Sequence, residues 1–161
     1  MSGSEIQLKL LVSEQIPAVI ALEQAATEFP WSQKMYADSL VAGYWGGGLW
    51  QGPRLLGAAV VSTGAGEAHL LNMCVALDHQ GQGYGRMLLA GACQQARDEG
   101  AQKMFLEVRA GNGRALNLYQ SVGFGQIGVR KDYYPGALGR EDAVCMALNL
   151  CQQPLNISTA D

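Results

Sequence analysis

The feature that most constrains the fold is a change of period at Gly83. The run His69–Val75, "HLLNMCV", is β-rich, whereas Gly83–Glu99 has helical spacing with Leu88, Leu89, Ala92 and Ala96 on one face. Between them, "DHQGQGYGRMLL" sets Gly81, Gly83 and Gly85 directly ahead of the helix. Glycines let a backbone approach a ligand closely. Free N–H groups at a helix start point outward with the positive end of the dipole. Arg86 adds charge in the first turn. The loop suits a phosphate, and on its own it equally suits a plain glycine turn.

The other runs fill in the order around this unit. Ile6–Leu11 reads as a strand. Ser13 caps a helix to about Ala26, with Pro17 tolerated near its start, and Ser32 caps a second to about Leu40. "GYWGGGLWQGPRLLG" is a glycine-dense hairpin region turning at "QGPR", and its "GYWGGG" part has no evident purpose. Leu55–Ser62 and His69–Val75 flank the turn "TGAGE", and Lys103–Arg109 is the next strand. Asn112 caps a helix with the stripe Ala115, Leu118, Tyr119 and Val122, which Gly123 stops. Gly125–Lys131 and Ala143–Leu150 close the series, joined by "DYYPGALGRED". The order β-α-α-β-β-β-α-β-α-β-β predicts one α/β domain over residues 1–150, a mixed sheet with helices on both faces. Residues 151–161 read as a polar tail that frays.

Composition narrows the class. A chain of 161 residues, 48% hydrophobic, can bury one real core. No apolar run reaches the roughly 18–20 residues of a membrane helix, and the start lacks a signal-peptide layout, so a cytoplasmic location is expected. Cys74, Cys93, Cys145 and Cys151 are scattered without metal-ligand spacing, which predicts buried free thiols and no metal. The "NIS" at Asn156 matches a glycosylation sequon without a secretory context. A formal charge of −3 argues against nucleic-acid binding and suits a cationic partner.

Two common meanings of the glycine loop fail on spacing. A dinucleotide fingerprint needs G-x-G-x-x-G, and here the pattern is G-x-G-x-G. A P-loop needs a lysine after its last glycine, and none follows Gly85.

A third meaning comes from resemblance. "QGQGYG" (Gln80–Gly85) resembles the Q/R-x-x-G-x-G/A acetyl-CoA signature of the GNAT superfamily of N-acetyltransferases. "LEVRAGNGRALNLYQSVGF" (Leu106–Phe124), "FPWS" (Phe29–Ser32) and "YYPGALGREDAVCMAL" (Tyr133–Leu148) are similar to blocks of its RimI-type branch. Those bacterial enzymes acetylate the N-terminal alanine of a small-subunit ribosomal protein. The likeness spans roughly residues 6 to 150. Ala76-Leu77 replaces the Asp-Pro of many relatives, and Gly81 stands where many carry Arg.

The resemblance implies a twisted mixed sheet that splays open, one half ending in "NMCV" and the other in "FLEV". Acetyl-CoA would lie in the opening, its amides on backbone groups of Met73, Cys74 and Val75. Its pyrophosphate would sit on N–H groups of Gly81, Gln82, Gly83, Tyr84, Gly85 and Arg86, with Asn112 on the other side. Glu107 would be the general base and Tyr119 the general acid, with a main-chain N–H of Cys74 or Val75 as oxyanion donor. Periodicity alone makes Glu107 a strand-end partner of Arg109 and Tyr119 a core residue. Phe29, Pro30, Trp31, Tyr133 and Tyr134 would build the acceptor side. Glu141 and Asp142 either attract basic substrate residues or pair within their turn. Rival readings are a lysine or small-amine acetyltransferase, a non-catalytic acyl-CoA-binding module, and a Cys74 nucleophile served by His69 or His79.

Overall fold

Why the sheet carries helices on both faces is written in its third strand. The computed structural model describes residues 5–151 as β1 (Ile6–Leu10), α1 (Ile16–Ala26), α2 (Gln33–Val41), β2 (Trp45–Gln51), β3 (Arg54–Gly64), β4 (Glu67–Val75), α3 (Tyr84–Asp98), β5 (Lys103–Arg109), α4 (Gly113–Val122), β6 (Gly125–Gly136) and β7 (Gly139–Asn149). In β3, Ala58 and Val60 join the apolar cluster of Ile16, Val19 and Tyr36 from α1 and α2. Their neighbours Ala59 and Val61 join a second cluster with Leu88, Leu89, Ala92 and Ala96 of α3 and Tyr119 and Val122 of α4. Alternation along one strand thus feeds two layers. Burying a leucine as fully as Leu88 contributes about 1.5–3 kcal/mol.

The strands form one sheet in the order β1-β2-β3-β4-β5-β7-β6. Every neighbouring pair is antiparallel except the parallel β4–β5. This is the mixed α/β sheet that the element order implied. The tail from residue 152, with its Asn156 sequon, lies outside the described residues.

The glycines of "GYWGGG" gain a purpose here. β2 lies between β1 and β3, and a Cβ on Gly47 would run into the Trp45 ring. One on Gly48 would stand 2.8 Å from Trp50 Nε1. The strand gives up side chains so that two indoles can lie across it.

Three expectations are corrected. Ser13 opens a short 3₁₀ turn, its hydroxyl donating to Glu14, while α1 begins at Ile16 with Pro17 in its first turn. The link "DYYPGALGRED" is not a loop but a continuous hairpin of β6 and β7. Pro135 is tolerated because β6 is the sheet edge. Asp132 carries the bulge of that hairpin at φ 52°, its N–H bound by Asp142 Oδ1 at 2.9 Å. Only Cys93 is a buried thiol; Cys74 and Cys145 are half-buried and Cys151 is exposed. Ser32 and Asn112 do cap their helices, accepting from the Met35 and Ala115 N–H groups at 3.2 Å.

Candidate active site

The site begins where two parallel strands part. β4 and β5 pair only from Glu67–Leu70 to Lys103–Leu106. Beyond that, β4 stays with β3 to Val75 and β5 stays with β7 to Arg109, so the sheet opens. A bulge at Leu71, where Val60 faces Asn72 and Val61 faces Leu70, marks the parting. The Ala76 N–H donates to Leu56 O at 2.8 Å, and the Val75 carbonyl accepts from Gln80 Nε2 at 3.2 Å on the other side. Strand alternation then turns the main-chain groups of Met73 and Val75 into the gap and those of Cys74 toward Ala58. Cys74 therefore presents its side chain to the cleft and not a free backbone edge.

The gap continues into a cleft of about 970 Å³. At one end lie Gly81 and Gly83, with φ 78° and 90°, a left-handed conformation that disfavours other residues. A Cβ on Gly85 would stand 3.0 Å from Leu118, so this glycine lets α3 approach α4. No side chain caps α3, which leaves its first N–H groups directed at the cleft. Arg86 reaches Ser121 at 2.6 Å and Arg114 reaches Gln80 at 2.9 Å. Asn112 lines the opposite wall. The Gln82 and Tyr84 side chains stay out: Gln82 turns back toward the Asp78 carbonyl, and Tyr84 meets His79 edge-on.

On β5, Glu107 and Arg109 face away from the buried Leu106 and Val108. Glu107 does not pair with Arg109. Its Oε2 lies 2.6 Å from Arg130 Nε and 3.7 Å from Cys145 Sγ. Tyr119 is buried in the α3–α4 core against Phe124 and also lines the cleft. Burial, with a smaller contribution from Tyr134, pushes its phenol up to about 12. Tyr119 is therefore protonated at neutral pH and able to donate.

The far wall is formed by Phe29, Pro30, Trp31 and Tyr134. Tyr133 lies outside it, half-exposed and packed edge-on against Tyr134. Glu141 accepts from Arg109 and from the Gly111 N–H, while Arg140 donates to the Asp132 and Tyr133 carbonyls. Of the acids of "GRED", Glu141 is thus spent on β5 and the turn after it, and Asp142 on the Asp132 N–H within the hairpin.

A buried carboxylate behind this wall was missed from the sequence. Glu23, 2% exposed, accepts from the Tyr36 hydroxyl, from Asn72 Nδ2 at 3.0 Å and from the Trp31 N–H at 3.1 Å. Its signal was legible: Ile16, Val19 and Glu23 fall at i, i+3 and i+7 on the buried stripe of α1. An acid on an apolar stripe asks for partners. Burial first, and then the charge of Glu23, pushes the Cys74 thiol up to about 12. His69 stacks on Phe105 and His79 meets Tyr84 edge-on, so the histidines that would have to activate Cys74 are engaged with other rings. A thiol in that state is a poor nucleophile.

Comparison with known proteins agrees with this architecture. The Acetyltransferase (GNAT) family model matches residues 16–124. The ribosomal protein bS18-alanine N-acetyltransferase of Escherichia coli is 39% identical over 138 residues, 86% of this chain and 93% of that protein. The crystal structure of the Escherichia coli enzyme superposes with a TM-score of 0.86 at 36% identity, covering 96% of this chain and 99% of that one. A Salmonella typhimurium protein solved with its cofactor acetyl-CoA shares the fold, with a TM-score of 0.76 at 18% identity over 94% of this chain and 98% of its own. With the splayed sheet, the uncapped glycine turn and these matches together, the chain belongs to the GNAT family of acetyltransferases.

Proposed function

We propose that this acetyltransferase acts on the N-terminal α-amino group of a protein, specifically the N-terminal alanine of a small-subunit ribosomal protein, in the cytoplasm. The observation that carries the reading is the position of Glu107 and Tyr119. Both line one cleft, between an uncapped helix start at one end and an aromatic wall at the other. The name of the Escherichia coli relative supplies the substrate class. Among the described residues no helix is long and apolar enough to cross a membrane.

The residues present fit acetyl-CoA. Main-chain groups of Met73 and the Val75 N–H face the gap as an unpaired strand edge would, the Val75 carbonyl being held by Gln80. Gly81 to Arg86 offer N–H groups to a pyrophosphate, and Asn112 closes the other side. Acetyl-CoA supplies the activated acyl group when bound. Glu107 accepts the proton of the acceptor ammonium through a water, moving away from Arg130 as the amine arrives. The Val75 N–H donates to the carbonyl oxygen as it gains charge. Tyr119 gives its proton to the departing thiolate. An α-amino group has a pKa of about 7.7–8.0 against about 10.4 for lysine, so one carboxylate suffices near neutral pH.

The test compares alanine-first peptides with internal-lysine peptides and free polyamines as acceptors. Turnover should favour the alanine-first peptide by at least about tenfold. Faster turnover of internal lysine would give the site to the rival chemistry. Mass spectrometry of protein N-termini with and without the enzyme then identifies the target.

A further inference from the structure

Arg109 ends β5, and the chemistry above does not use it. Its guanidinium lies over two rings, 3.5 Å from the centroid of Phe29 and 4.4 Å from that of Tyr134. Its Nη1 donates to the Pro135 carbonyl at 2.8 Å and stands 3.3 Å from Glu141 Oε1. Glu141 is held in turn by the Gly111 N–H at 2.7 Å, just beyond the same strand. One side chain therefore joins three pieces of chain remote in sequence: the loop between α1 and α2, the end of β5, and the β6–β7 hairpin.

The chemistry of the contact is specific to arginine. A guanidinium stacks through its flat face while its edge donates hydrogen bonds, and an ammonium cannot do both at once. Phe29 itself is 38% exposed, so burial alone does not seat its ring. The rest of the loop is tied by the Glu23 bond to the Trp31 N–H, by the Trp31 ring packed edge-on against Tyr36, and by the Thr27 hydroxyl accepting from the Phe29 N–H at 3.2 Å. None of these holds the Phe29 ring. Arg109 does.

We propose that Arg109 is a positioning residue that clasps Phe29 and Tyr134 together and so sets the width of the acceptor exit. This deepens the acceptor assignment above and rests on it. The clasp admits the end of an extended chain with a small first side chain and disfavours a bulky one. The loop and the hairpin are then two jaws, and β5 carries their hinge pin next to the proposed base.

Arg109→Lys and Arg109→Ala test this, read by separate KM values for peptide and acetyl-CoA. Both variants should raise the KM of an alanine-first peptide by about tenfold and leave that of acetyl-CoA within about twofold. The preference for alanine-first over leucine-first peptides should narrow in both. Glu141→Gln keeps the two ring contacts, and its peptide KM should rise less than about threefold. A wild-type peptide KM in Arg109→Lys would overturn the proposal, because charge without the flat face would then suffice. An equal rise in the acetyl-CoA KM would overturn it too, by reducing the residue to general support. Amide exchange at residues 27–32, measured with no acceptor present, should quicken in Arg109→Lys. Unchanged exchange overturns the clasp. Quicker exchange in an enzyme whose wild type turns over no N-terminal peptide would uphold the clasp and sink the acceptor assignment.

Discussion

At the proposed donor end of the cleft the groups offered to a ligand belong to the main chain: the edge at Met73 and Val75, and the N–H groups from Gly81 to Arg86. At the proposed acceptor end they are side chains held by other side chains, Phe29 and Tyr134 by Arg109 and Glu107 by Arg130, while Glu23 holds the main chain at Trp31. Main-chain recognition tolerates sequence change provided the torsions survive. A lattice of side-chain partners does not. The donor end can stay constant across a family while the acceptor end is rebuilt for each substrate.

The strongest way to sharpen that contrast is at the proposed base and acid. Glu107→Gln and Tyr119→Phe should each lower kcat by about 10²–10⁴ and leave acetyl-CoA affinity within about twofold by calorimetry. A parallel loss of donor affinity would break the division between the two ends. Next in size is Glu23→Leu, which leaves the Trp31 N–H and the Asn72 amide without their acceptor. It should cost about 2–5 kcal/mol in urea unfolding, with Glu23→Gln milder. Equal stability for the leucine variant would mean that the cluster does not hold the acceptor loop.

Smaller effects probe the donor end and the buried phenols. Gly83→Ala forces a Cβ into φ 90° and should cost about 1–2 kcal/mol. Its acetyl-CoA KM should rise while its peptide KM holds, and the reverse pattern would invert the comparison. The last test is alkaline stability. Tyr119 and Tyr134 are both pushed up to about 12, chiefly by burial, against about 10 in an unfolded chain. Folding therefore keeps their full contribution below pH ~10 and loses it as pH rises through ~12. Melting temperature should fall over that window, and less steeply in Tyr119→Phe. An unchanged slope would place the Tyr119 phenol in water.

What the sequence disclosed follows the same division. Gly81, Gly83 and Gly85 announce themselves because a turn and a close approach require glycine wherever they occur. The helix caps at Ser32 and Asn112 are local and were equally legible. Glu107's partner was not: Arg109 is two residues away and on the same face, yet Arg130 across the sheet takes the carboxylate. Which of two cations wins is decided by the register of β6 on β7, a long-range property. The hairpin at Tyr133–Gly136 was hidden for a related reason. Its proline and glycines read as a loop unless the strand is known to lie at the sheet edge. Asn72 and Tyr36 show no sign of Glu23 until the bulge at Leu71 brings the strand face round to α1.

The parting of β4 and β5 has a thermodynamic consequence. Between Leu71 and Val75 the side of β4 turned to the gap has no strand partner, only the Val75 carbonyl being held by Gln80, so part of the fold's hydrogen bonding is left for a ligand to complete. A molecule that binds there only in the folded state adds RT ln(1 + [L]/Kd), about 2.7 kcal/mol at a hundredfold excess over Kd. Acetyl-CoA, bound along that edge as proposed, would then add to the stability of the fold it completes.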